Sequence, residues 1–123
     1  MTILHAWLNV RDGNAGTLSL IDALNQHEGI GVTNSGMNGE VVYHFLICHN
    51  HHGSSFEYFF KAVNNLAEIE SPDTYGLIYM FDDEHKEFYD EWQVWVLSKN
   101  KVVKTKDCFL SPYSEKVAWY SED

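Results

Sequence analysis

The chain has 123 residues, 45% of them hydrophobic, which predicts a single globular domain over residues 1–123 with a core of its own. Eighteen acidic residues against eight lysines and arginines give a net charge of −10, which disfavours nucleic acids and anionic membranes as partners and favours basic proteins. The sequence shows no signal-peptide pattern and no apolar run long enough to span a bilayer, so we expect a cytoplasmic protein.

The first elements predicted are a strand, a short helix and a second strand. Residues 3–10 alternate between two faces with a period of two, which is typical of a strand. Turn-forming residues follow at 11–16, and residues 17–28 place apolar side chains at helical spacing. Residues 30–36 indicate a weak strand at the edge of a sheet.

A hairpin and a second helix come next. The dipeptide Asn38-Gly39 favours a tight hairpin turn, because both residues accept a positive φ angle. It leads into a strand over Glu40–His49. Ser54 and Glu57 have the spacing of a capping box at the start of an amphipathic helix, and Pro72 predicts that this helix ends near residue 70.

Three strands complete the domain, at Tyr75–Phe81, Glu91–Ser98 and Lys101–Cys108, with a tight turn at Lys99-Asn100. The resulting order is β-α-β-β-α-β-β-β. Each helix has one apolar stripe to bury, so both are expected on one face of the sheet. The sequence therefore predicts an α+β fold, an antiparallel sheet of five to six strands whose first part has a ferredoxin-like order.

Catalytic signatures are missing from the sequence. It contains no nucleophile elbow, no phosphate-binding loop and no dinucleotide fingerprint, so we assign no catalytic residue and no cofactor, and we expect no enzyme. Cys48 and Cys108 lie far apart in strand-like segments and form no CxxC pair. They are interpreted as reduced, buried thiols.

Four neighbouring positions form a histidine segment, residues 49–52, in which His49, His51 and His52 are candidate metal ligands. Residues 49 and 51 share a face if the strand continues, while residue 52 points away, so the segment alone supplies at most two ligands. The simpler interpretation is a polar loop between a strand and a helix, and no metal site is assigned.

The acidic segment, residues 82–91, contains six acids and one lysine and thus carries half of the net charge. Clustered carboxylates bind cations or act in acid–base catalysis, but the calcium-loop pattern is absent. A solvated loop and a protein-binding surface remain as alternatives.

Two tryptophans lie in the strand that follows the acidic segment. Trp92 and Trp95 are separated by an odd number of positions, so their side chains project to opposite faces. One of them is therefore expected outside the helix-covered core, where it packs in a second layer or contacts a partner.

The second half of the chain carries a family resemblance. Residues 75–79 (YGLIY) precede Asp82-Asp83-Glu84, residues 92–97 (WQVWVL) follow, and residues 107–112 (DCFLSP) close the run. With weaker matches at His5-Ala6-Trp7, Asn38-Gly39 and Asn50-His51, residues 3–112 resemble the immunity protein 7 family of bacterial polymorphic toxin and contact-dependent inhibition systems. The tail, residues 113–123, lies outside this resemblance.

The resemblance implies a cytoplasmic immunity protein that neutralises the C-terminal domain of a cognate toxin. Many toxins are nucleases with basic clefts, so we expect the acidic segment to enter such a cleft and exclude its substrate. The predicted contact residues are Asp82, Asp83, Glu84, Glu87, Tyr89, Asp90, Glu91 and Trp92, with His49, His51 and His52 as a second choice. A metal-dependent protein using the histidine and carboxylate clusters is the alternative, and a housekeeping adaptor is a third class.

Overall fold

A computed structural model describes residues 1–11, 15–69 and 73–117. The strands are β1 (Thr2–Arg11), β2 (Gly31–Met37), β3 (Glu40–His49), β4 (Tyr75–Asp82), β5 (Trp92–Ser98) and β6 (Lys101–Lys106). The helices are α1 (Ala15–Gln26), α2 (Ser54–Glu68) and the short α3 (Tyr113–Lys116). The predicted order of strands and of the two long helices is confirmed, and α3 is an addition that the sequence did not indicate.

All six strands form one antiparallel sheet in the order β2-β3-β1-β4-β5-β6. The first four have the arrangement expected for a ferredoxin-like β-α-β-β-α-β unit, with β1 between β3 and β4. The hairpin β5–β6 then extends the sheet beyond β4. The weak strand expected at an edge, β2, does lie at an edge.

The core lies between the sheet and the helices α1 and α2. Strand β1 alternates as predicted, and its inward residues Leu4, Ala6 and Leu8 are buried. The apolar stripe of α2 supplies Phe56 and Phe59, both fully buried. Burial of this much apolar surface is the main force that holds both helices on one face of the sheet.

Both predicted hairpin turns have the backbone they require. Asn38 and Gly39 have φ angles of 55° and 83°, and Lys99 and Asn100 have 52° and 64°. Two consecutive positive φ angles match the right-handed twist of the flanking strands, which explains why these dipeptides fix the register of both hairpins.

The predicted capping box at the start of α2 is wrong. Gly53 is the N-cap residue, and its carbonyl oxygen accepts hydrogen bonds from the N–H groups of Phe56 and Glu57. Ser54 is therefore already helical, and within the described chain no side chain caps the helix. Helix α2 ends at Glu68, close to the predicted end. Residues 12–14 of the predicted turn, Pro72, and residues 118–123 lie outside the described residues.

The two cysteines were predicted to be buried, and both are exposed. Cys48 projects from β3 away from the core, because its neighbour Ile47 points inward. Cys108 follows the end of β6 and belongs to a loop. In the described part of the chain, none of the helices has the length and apolar character needed to cross a membrane.

Candidate partner-binding surface

The sheet face opposite α1 and α2, here called the open face, is rich in aromatic and apolar side chains. His5, Trp7 and Tyr79 project from the central strands β1 and β4, and Leu46, which is 48% exposed, projects from β3. Trp92 lies on this face as well, while Trp95 contacts Phe60 on the helix side. The prediction that the two tryptophans occupy opposite faces is therefore confirmed. Exposed apolar side chains gathered on one face mark interaction sites in soluble proteins.

Two adjoining depressions run across the open face and share His5 and Tyr79. The first extends towards β2 and is bordered by Trp7, His44 and Leu46. The second, here called the groove, has a volume of about 610 Å³. Its lining consists of His5, Tyr79, Trp92, Asp107, Phe109 and Leu110. The lining is mostly apolar, as is usual for binding sites.

One wall of the groove is the strap, residues 107–112, which follows β6. The Asp107 carboxylate accepts hydrogen bonds from the N–H groups of Phe109 and Leu110, each at 2.9 Å, and from the Ser111 hydroxyl at 2.9 Å. The Ser111 hydroxyl oxygen also accepts a hydrogen bond from the backbone N–H of Trp92 at 2.8 Å. This network ties the strap to β5 and leaves Phe109 72% exposed at the rim of the groove.

The Asp107 carboxylate is held in its charged form. Partial burial opposes ionisation, but the hydrogen bonds from Phe109, Leu110 and Ser111, together with the positive charge of Lys116, outweigh it and lower the pKa below its ordinary value of 3.8. A lowered pKa means that the charged form stabilises the strap above pH 3.8, and that this stabilisation is lost as the pH falls through the pKa of the folded state.

We therefore expect the strap to stay in place at neutral pH and to loosen only in acid. NMR titration of the Phe109 and Leu110 amide signals should give a midpoint below 3.8. In the D107A variant both amides should exchange with solvent faster at pH 7, because they have lost their acceptor. A midpoint at or above 3.8 would contradict this account.

The acidic segment connects β4 to β5 at one end of the sheet, and its six acids have different environments. Asp82 is buried, and its carboxylate accepts a hydrogen bond from the Glu84 N–H. Asp90 accepts hydrogen bonds from the N–H and hydroxyl of Ser114, at 2.8 and 2.6 Å. These two carboxylates hold the segment in shape, and Asp90 also fixes the start of α3.

The other four acids of the segment are exposed. Asp83 accepts a hydrogen bond of 2.7 Å from the N-terminal amino group, which raises the pKa of that amino group. Glu84 pairs with His51 Nδ1 at 2.8 Å. Glu87 and Glu91 form no side-chain hydrogen bond or ion pair with the described residues. Tyr89, between them, is 61% exposed. These five side chains form an acidic surface with one aromatic ring.

The histidine segment lies beside the acidic segment, because β3 and β4 both flank β1 and Thr2 pairs with both His49 and Asp82. Strand β3 ends at His49, so the predicted shared face of His49 and His51 does not form. His51 turns to Glu84, whereas His49 and His52 contact the ring of Phe56 at 5.7 and 5.1 Å between centroids.

No set of three or more histidine, cysteine, aspartate or glutamate side chains within residues 1–11, 15–69 and 73–117 has the geometry of a metal site. The contact between Glu84 and His51 brings together one residue of the acidic segment and one of the histidine segment. Two ligands are too few for a structural metal site, which needs about four. The metal-dependent alternative therefore has no support.

Of the residues that line the groove, only Trp92 was predicted from the sequence as a contact residue. Phe109 and Leu110 belong to a run noted only for its resemblance, and the strand predicted over Lys101–Cys108 ends at Lys106. The available signal was Asp107, since an aspartate before a short irregular run often accepts hydrogen bonds from the N–H groups that follow.

A comparison with models of protein families gave a match. The family model described as "Immunity protein 7" matches residues 4–118, nearly the whole chain, and continues beyond Pro112 into the tail left out of the resemblance. Neither the curated proteins nor the solved structures gave a match.

Proposed function

We propose that this chain, which belongs to the immunity protein 7 family, neutralises a cognate bacterial toxin domain by binding it and covering its substrate surface. Family membership gives the chain an immunity role. The toxin's chemistry and the mode of inhibition are the proposed part. Such an inhibitor needs a surface complementary to the toxin and catalyses no reaction of its own. The proposal places it in the bacterial cytoplasm, as the partner of a polymorphic or contact-dependent toxin.

The proposal rests mainly on the exposed carboxylates of Asp83, Glu84, Glu87 and Glu91 at one end of the sheet. A toxin that cleaves nucleic acids needs a basic cleft to hold phosphates, and an acidic surface competes for that cleft. Electrostatic attraction speeds association, and the bound inhibitor then excludes the substrate. A basic, nuclease-like C-terminal toxin domain is therefore the proposed partner.

The predicted contact residues receive different roles in this proposal. Asp83, Glu84, Glu87 and Glu91 contact the toxin through charge, with Tyr89 as an aromatic contact between them. Asp82 and Asp90 support the shape of the segment from within. Trp92 contributes from the groove side. His49, His51 and His52 stay the second choice, as a neighbouring border of the same surface.

Co-expression tests this function directly. The C-terminal domain encoded immediately upstream of this chain's gene is expressed in a bacterial host with and without the chain. We expect growth arrest by the toxin domain alone, rescue by the chain, and a stable complex of the two on size-exclusion chromatography. Arrest that the chain does not relieve, or a neighbouring gene without a toxin domain, would oppose the proposal and favour an adaptor.

A further inference from the structure

We propose that the groove on the open face binds an arginine side chain of the toxin domain, with the guanidinium group stacked against Tyr79 and Trp92 beside the Asp107 carboxylate. The identity of the partner rests on the proposed function, whereas the chemistry of the site rests on the groove itself. Of the lining residues, Trp92 alone is among the toxin contacts predicted from the sequence.

The walls of the groove favour a flat, partly apolar group. Tyr79 and Trp92 are half-buried, so part of each ring faces the groove, and the ring of His5 lies beside Tyr79. Phe109 and Leu110 close the other side from the strap and are 72% and 44% exposed. Aromatic and apolar side chains that are still partly exposed are those whose burial stabilises a complex most.

The charge of the groove favours a cation. Asp107 is the one acidic residue in the lining, and no lysine or arginine of the described chain lines it. Three hydrogen bonds already reach its two carboxylate oxygens. Because a carboxylate has about four acceptor positions, one remains for a donor from outside the strap. These hydrogen bonds, with a smaller contribution from the positive charge of Lys116 outside the lining, also lower the pKa of Asp107, so its negative charge is present at neutral pH.

Among cations, arginine fits this combination better than lysine. Its guanidinium group is planar, is weakly hydrated and stacks on aromatic rings, while its N–H groups remain free to donate to a carboxylate. Lysine carries a compact, strongly hydrated charge that gains less from two aromatic walls. Arginine is also enriched among the residues that dominate the energy of protein interfaces.

The groove and the acidic segment form one continuous surface. The backbone N–H of Trp92 donates a hydrogen bond to the Ser111 hydroxyl oxygen at 2.8 Å. The carbonyl oxygen of Asp90 accepts one from the backbone N–H of Tyr113 at 2.7 Å. The first contact ties the residue just after the acidic segment to the strap, and the second ties the acidic segment to the residue just after the strap. A basic domain attracted to the exposed acids would therefore lie beside the groove and could insert one side chain into it.

The experiment uses the whole chain with N-acetyl-arginine amide as the probe and its uncharged isostere N-acetyl-citrulline amide as the reference. Binding is followed by NMR through the indole N–H signal of Trp92, assigned from the W92F variant. We expect saturable binding of the arginine probe in the millimolar range and at least about fivefold weaker binding of the citrulline probe. Both D107N and Y79L should weaken the arginine probe about threefold to fivefold. The E57Q variant removes one exposed acid from α2 and should bind as the parent chain does.

Several results would overturn the proposal: no saturable shift with arginine, equal shifts with citrulline, or stronger binding of N-acetyl-phenylalanine amide, which would indicate an apolar occupant. Y79L leaves the strap's hydrogen bonds untouched, so its effect does not depend on the fold of the strap in D107N. The probe experiment contains no toxin, so its result does not depend on the proposed function. If the probe binds but the chain fails to rescue growth in co-expression, the proposed function is refuted and the assignment of the groove to arginine stands.

Discussion

Neutralising the four exposed acids of the acidic segment in the variant D83N/E84Q/E87Q/E91Q is expected to slow association with the toxin domain about tenfold to a hundredfold at low salt. These carboxylates are concentrated at one end of the sheet, so they attract a basic surface before contact is made. Each substitution keeps the size of the side chain and an acceptor oxygen. Association rates measured by stopped flow between about 20 and 300 mM salt should also depend less on salt than those of the parent chain.

The matched control removes the same number of charges from the helix side of the domain. In D22N/E28Q/E57Q/E68Q all four acids are exposed, and they lie on or beside α1 and α2. This variant has the same net charge as the first, so a much smaller effect on the association rate would assign the attraction to the acidic segment. Equal effects of the two variants would mean that only the total charge matters.

Much of the fold could be predicted because local physics decides it. Strand β1 shows its period of two in the sequence, and both hairpin turns are built from residues that accept positive φ angles. The apolar stripe of α2 is visible in the same way. Two helices with one stripe each leave one sheet face uncovered, so even the opposite positions of Trp92 and Trp95 followed from counting residues.

The rest depends on contacts between distant residues, which periodicity does not encode. The cap of α2 lies one residue before the predicted serine, because Gly53 supplies the carbonyl that closes the first turn. Nothing in the sequence distinguishes the six acids of the acidic segment from one another. In the structure Asp82 is buried, and Asp90 is hydrogen-bonded to Ser114, 24 positions away. The strap is held by Ser111 and Trp92, 19 positions apart, so the groove could not be read from either segment alone.

The Gly76→Ala variant is expected to lower the free energy of unfolding by about 2–3 kcal/mol and the melting temperature by about 10 °C. Gly76 is buried in β4 opposite Leu8 of β1. A Cβ atom at this position would overlap the carbonyl oxygen of Trp7 and lie 2.9 Å from Leu8 Cα, so the backbones of two central strands would have to separate. Denaturant titration followed by circular dichroism measures the loss.

Gly53→Ala is the matched control, because a Cβ atom there meets nothing within 4 Å and the φ angle of −161° suits alanine. It should change stability by less than about 1 kcal/mol. If both variants lose the same stability, strand spacing is not the reason for the glycine at position 76. His5 pairs with Tyr79 three residues further along the same two strands, so separating them at Gly76 also moves two walls of the groove apart. Folded Gly76→Ala protein should therefore bind the arginine probe more weakly, while Gly53→Ala binds it unchanged.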